Sequence, residues 1–158
     1  MNCIPIVKFS TIYLKSSPEN EGNLMYKGGC LCGAVQYEID GGIRNIICCH
    51  CSRCRKAQGS AYATNGIVER SDFHIISGAD NLTGYKSSPD QTRNFCKTCG
   101  SPIYSENSKR PDQVRVRIGT IDSDISERPQ AHIFVSSKAN WEEICGDLPQ
   151  FDSYEPGR

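Results

Sequence analysis

Apolar and polar residues alternate in short runs along most of this chain, and the runs are separated by clusters of glycine, proline, serine, asparagine and aspartate. Ala34-Val35-Gln36-Tyr37-Glu38-Ile39 alternates between Cys32-Gly33 and Asp40-Gly41-Gly42, which predicts a strand followed by a turn. The next strand is predicted over Ile43 to Cys49. Further strands are predicted over Tyr62 to Val68, Phe73 to Ser77, Gln91 to Phe95, Ile103 to Ser105, Gln113 to Ile118 and His132 to Val135. Val114-Arg115-Val116-Arg117-Ile118 alternates most cleanly: three β-branched residues take one face and two arginines the other, and the ordinary reading of the arginines is a solvated strand face. Helical signal is weak. A short piece is expected over Ser52 to Gly59, and Asp122-Ser123-Asp124 is expected to cap another. Ser87-Ser88-Pro89 reads as a loop, and no solenoid-type repeat is present. Many short strands with turns between them predict a mostly β domain.

A chain of 158 residues suits one domain, because a core of this size buries roughly 70% of the unfolded surface. Eighteen basic and eighteen acidic residues give zero formal net charge, so the global balance provides no pull toward nucleic acid or an anionic membrane. Apolar stretches such as Ile46 to Cys49 fall far short of the roughly 20 residues that span a bilayer. The start of the chain has no basic residue ahead of the broken apolar stretch Cys3-Ile4-Pro5-Ile6-Val7, and it lacks a clear secretory pattern. Residues 1–25 therefore read as an N-terminal extension to a domain over 26–156.

The cysteines change the picture most. Seven of ten fall into Cys30-Leu31-Cys32, Cys49-His50-Cys51-Ser52-Arg53-Cys54 and Cys96-Lys97-Thr98-Cys99. Neighbouring thiols at these spacings make poor structural disulfides and good metal knuckles, which points to a reducing cytosol. Cys30, Cys32, Cys96 and Cys99 sit beside glycines that let a chain fold around an ion, and together they supply a closed four-sulfur site. Joining the two pairs closes a 64-residue gap, at a loop-entropy cost of about 4 kcal/mol. Structural zinc in small peptides contributes roughly 10 to 16 kcal/mol, ample to offset it.

Cys49, Cys51 and Cys54 supply only three sulfurs, which leaves a coordination position for chemistry unless another residue fills it. In an extended segment His50 faces away from its two neighbours, so it reads as a supporting or packing residue. Cys48 reads as a small buried side chain, Cys3 and Cys145 as packing or surface thiols, and His74 and His132 as structural. Zinc fits these sulfur sets better than iron–sulfur clusters do, although a rubredoxin-like iron remains compatible with the quartet. Three thiolates make zinc a weak Lewis acid, better suited to holding an incoming thiol than to making hydroxide.

Taken together, Gly29-Cys30-Leu31-Cys32-Gly33-Ala34-Val35, Cys49-His50-Cys51-Ser52-Arg53-Cys54-Arg55-Lys56, Phe95-Cys96-Lys97-Thr98-Cys99-Gly100, Ile118-Gly119-Thr120-Ile121-Asp122 and Pro129-x-x-His132-Ile133-Phe134 with Trp141 form a specific signal. The chain resembles the glutathione-dependent formaldehyde-activating (Gfa) family, which includes centromere protein V-like domains, from about Tyr26 to Pro156. The resemblance implies a mostly β, β-tent (Gfa-like) fold built of short antiparallel sheets around zinc knuckles. It also implies two zinc ions: a structural one on Cys30, Cys32, Cys96 and Cys99, and a catalytic one on Cys49, Cys51 and Cys54. The implied activity is that of a carbon–sulfur lyase joining formaldehyde, or a related small carbonyl, to glutathione. Arg53, Arg55, Lys56 and Arg93 are candidates to meet glutathione's carboxylates, against the ordinary reading of solvated charge. The competing class is a non-catalytic two-zinc module, either a glutathione carrier or a protein-interaction domain. A homodimer is left open.

Overall fold

The computed structural model describes residues 25–156; residues 1–24, which hold Cys3 and nearly all of the expected extension, lie outside the described residues, as do 157 and 158. In chain order the elements are β1 (Met25–Gly29), β2 (Gln36–Asp40), β3 (Arg44–Cys49), α1 (Ser52–Gln58), β4 (Ala63–Glu69) and β5 (Phe73–Ser77). They continue as β6 (Leu82–Ser88), β7 (Gln91–Cys96), β8 (Pro102–Asn107), β9 (Arg110–Arg117), β10 (Ala131–Ile133) and β11 (Gln150–Phe151). Among these residues no helix is long and apolar enough to cross a membrane.

The strands divide into a three-stranded sheet, β1-β2-β5, and an eight-stranded sheet, β11-β10-β3-β4-β9-β8-β7-β6. The mostly β, Gfa-like architecture expected from the sequence is therefore present, and most pairings are antiparallel. The exception lies at one edge, where β10 runs parallel to both β3 and β11. Parallel pairing needs a long connection rather than a hairpin, and the segment leaving β9 supplies it before returning beside β3.

Apolar alternation places the core between the sheets. Tyr26, Tyr37, Ile39 and Phe73 from the small sheet share one buried cluster with Ile46, Val68, Ile103, Val114 and Val116 from the large one. Aromatic rings stitch the junction: Phe73 lies 5.2 Å from Tyr37 and 4.9 Å from Tyr104, centroid to centroid. Cys30 and Cys96 belong to the same cluster, so one cysteine from each knuckle is built into the hydrophobic core.

Three strands fall outside the sequence reading. β1 carries two glycines, β6 is a half-exposed polar strand at the sheet edge, and β11 is two residues long; backbone pairing rather than side-chain pattern makes them strands. No helix follows Asp122-Ser123-Asp124. The backbone N–H groups of Asp122 and Ser123 instead donate to the Lys27 carbonyl, at 2.8 and 3.2 Å, tying this segment to β1. The last predicted strand ends at Ile133, because Phe134 takes a left-handed backbone, φ 57°, and opens a single 3-10 turn.

Gly78 ends β5 with φ +73°, and a Cβ there would lie 1.8 Å from the Ala34 carbonyl oxygen. Backbone cannot yield as a flexible side chain can, so Gly78→Ala combines a clash with an unfavourable φ. It is expected to lower unfolding free energy by about 2–4 kcal/mol in urea titration. Gly119→Ala, with none of the described residues within 4 Å of the added methyl, is expected to leave the midpoint nearly unchanged.

Candidate metal centres

Two similar backbone loops present the four-cysteine cluster. The Cys30 N–H donates to Val35 O at 3.0 Å and the Cys96 N–H to Ser101 O at 2.9 Å, while Gly33 and Gly100 donate back to the carbonyls of Cys30 and Cys96. Both glycines have positive φ, +75° and +76°, the conformation that turns each loop on itself. The sulfurs converge: Cys30 to Cys32 is 3.5 Å, Cys32 to Cys96 is 3.8 Å, and all four lie within 4.8 Å of one another. A tetrahedral site with metal–sulfur bonds of about 2.3 Å requires sulfurs about 3.8 Å apart, so this donor set fits a thiophilic divalent ion. The Val35 N–H points at Cys30 Sγ from 3.2 Å. Ser101 Oγ sits 3.2 Å from Cys99 Sγ, and this contact leads the causes that bring the Cys99 thiol down to about 5.

The second cluster forms where β3 runs into α1. Cys49 ends the strand, Cys51 caps the helix by accepting from the Cys54 N–H at 3.4 Å, and Cys54 lies in the first turn. Their sulfurs also lie within 4.8 Å, and among the described residues no other Cys, His, Asp or Glu joins the group. Hydrogen bonds from Cys49 and Cys51, then the Arg93 guanidinium 3.8 Å from its sulfur, hold the Cys54 thiol far below its ordinary range. Cys49 is pushed correspondingly upward.

His50 turns to the opposite side, as strand alternation requires. It is fully buried, its Nε2 lies 2.8 Å from His132 Nδ1, and burial pushes its pKa down to about 4. Cys48 is buried opposite Thr64, and burial raises its thiol. His74, on the surface, faces Asp40 at 3.2 Å. Cys145 departs from the sequence reading: it is disulfide-bonded rather than a free thiol.

The trio borders a cavity of about 420 Å³ on the large sheet's outer face, opposite the core. Ile47 and Ile133 contribute apolar floor, and Phe134 and Tyr154, in edge contact at 4.9 Å, form a wall. Of the four cations named from sequence, Arg53 and Arg93 line this cavity. Arg55 does not; it braces α1 by donating to the His50 and Ser137 carbonyls, each at 3.3 Å. Lys56 is exposed and also lies outside the lining.

The arginine face of β9 is the main correction. Arg115 and Arg117 line the cavity, and Arg117 is only 4% exposed. The alternation was readable, but this face lines a recess shared with Cys49, Cys51 and Cys54 of the β3–α1 turn and with Ile133, Phe134 and Tyr154. Arg117 donates through Nη1 to Asn65 Oδ1, its register partner on β4, and burial holds its pKa down at about 10. Asn65 and Ser105 were also missed, since a lone polar residue in a strand carries no local signal of facing a site.

A family model described as glutathione-dependent formaldehyde-activating enzyme matches residues 25–137. An uncharacterized lyase of Schizosaccharomyces pombe is 32% identical over 88 residues, covering 54% of this chain and 62% of its own. Proteins provisionally named glutathione-dependent formaldehyde-activating enzyme match more of the chain. The Aspergillus flavus one is 26% identical over 139 residues, 85% of this chain and 64% of that protein, and the Colletotrichum graminicola one is 28% identical over 126 residues, 74% and 65% respectively. The chain thus spans less than two thirds of the length of each of these relatives. A crystal structure of a Rhodobacter sphaeroides protein superposes with a TM-score of 0.54 at 30% identity, covering 65% of this chain and 97% of that one. With the family match covering most of the described residues and both cysteine clusters, the chain belongs to the glutathione-dependent formaldehyde-activating family.

Proposed function

We propose that this chain is a zinc-dependent carbon–sulfur lyase that joins glutathione to formaldehyde, or a related small carbonyl, giving S-hydroxymethylglutathione. The observation that carries this reading is the unequal pair of clusters. Four sulfurs converge where the two sheets meet, with Cys30 and Cys96 buried in the core, whereas three converge at the border of a cavity large enough for a small peptide. On this reading Cys30, Cys32, Cys96 and Cys99 hold a structural zinc, and Cys49, Cys51 and Cys54 a catalytic one. A zinc ion on the trio would supply a position where the substrate sulfur sits as thiolate.

The chain's own residues do the rest. Arg93 balances charge at Cys54, and the apolar floor of Ile47 and Ile133 limits water beside the reacting sulfur. The thiol gives up its proton, its sulfur lone pair forms the bond to the carbonyl carbon, and the displaced C=O electron pair takes a proton to become the hydroxyl. Metal-free, the seven ligand thiols would need a reducing compartment such as the cytoplasm to stay available, and the disulfide at Cys145 weighs against that location.

Two outcomes test this. Zinc analysis is expected to give two ions per chain, with Cys54→Ser retaining one ion and the native circular dichroism, and Cys96→Ser losing the fold. Two equally inert ions, neither released by a mild chelator, would favour a purely structural module. In the activity assay, wild type is expected to raise adduct formation from formaldehyde and glutathione clearly above the spontaneous rate, and Cys54→Ser to return it to background. Equal rates with and without wild-type protein would remove the lyase assignment.

A further inference from the structure

Arg117 is a buried cation with no carboxylate partner among the described residues. It is 4% exposed, and among the described residues its Nε has no hydrogen-bond partner and neither it nor Arg93 forms a salt bridge. Burying a guanidinium without a carboxylate is costly. Asn65 holds the group in place with its carbonyl oxygen, and its own amide is fixed by donating to Ala63 O at 3.0 Å, so the fork is oriented before anything binds.

The surrounding register builds a cationic face. Arg93 on β7 lies opposite Ser105 on β8, which lies opposite Arg115 on β9, and Arg117 follows two residues along the same face. Strand spacing puts Arg93 and Arg115 about 10 Å apart, with only a serine between them. Among the described residues Asp90 is the one carboxylate side chain lining the cavity, and Lys109 already holds it at 2.7 Å. Arg93 takes the direct contact with Cys54 at 3.8 Å, whereas Arg117 meets the Cys54 and Cys49 thiolates only through longer-range charge.

We propose that Arg117, oriented by Asn65 and supported by Arg115, is the anion-binding residue of this cavity and selects thiol substrates that carry carboxylates. The proposal rests on the thiol chemistry proposed above only for its choice of ligand. A carboxylate accepting from a preoriented guanidinium in a recessed site gains both charge and direction, which a neutral thiol cannot use.

The test uses the zinc-loaded protein and S-methylglutathione, which keeps both carboxylates but has no thiol for a metal, compared with its diethyl ester by titration calorimetry. The acid is expected to bind at least tenfold more tightly than the ester, and Arg117→Gln to abolish the difference. Should Arg117→Gln fail to fold, Asn65→Asp serves: it places a carboxylate on the guanidinium, and is expected to raise the urea midpoint while weakening the acid's binding at least tenfold. Equal binding of acid and ester, or unchanged acid binding in a folded variant, would overturn the proposal. Cobalt-substituted protein separates it from the lyase reading. If glutathione leaves the cobalt spectrum unchanged while S-methylglutathione still binds by charge, the anion site stands and the thiol chemistry falls. If 2-mercaptoethanol perturbs the spectrum as strongly as glutathione at equal concentration, the thiol chemistry stands and the anion site falls.

Discussion

The approach of Cys32 to Cys96, two sulfurs 64 positions apart in sequence and 3.8 Å apart in space, sets the relation of one sheet to the other. Cys30 and Cys32 lie between β1 and β2 of the small sheet, and in the large one Cys96 ends β7 while Cys99 lies in the turn before β8. Whatever holds these four sulfurs together also fixes the gap that Tyr37, Phe73 and Tyr104 fill. Core packing and sulfur convergence are thus one constraint expressed twice, since Cys30 and Cys96 sit inside the apolar cluster.

A strand's two-residue period then separates scaffold from site. Val114 and Val116 face the core, while Arg115 and Arg117 line the cavity. On β3, Ile46 belongs to the core cluster, and Ile47 and Cys49 belong to the cluster beneath the cavity. The large sheet is therefore a partition, packed on one side and chemically equipped on the other.

Much of this was legible because it is local. Sulfur spacing named both clusters, alternation named the β2, β3 and β9 strands, and Ser52 to Gly59 gave α1 almost to the residue, with Gly59 left-handed at its end. What escaped depends on residues far away in the chain. Arg117 looks solvated until Asn65 on β4 is seen to hold it in a recess, whereas Arg55 looks available until the carbonyls of His50 and Ser137 are seen to occupy it. The parallel β10 pairing and the left-handed Phe134 likewise belong to tertiary closure, with no turn residue to announce them.

His50 lies between two cavity sulfurs and reaches the other way, to His132. Inserting or deleting one residue within β3 ahead of Cys49 would exchange the two sides, swinging the imidazole toward the cavity and drawing both neighbouring thiols into the interior. This stretch should therefore accept changes of side-chain identity more readily than any change of length. Differences in length among relatives would have to collect in the connections beyond the sheet.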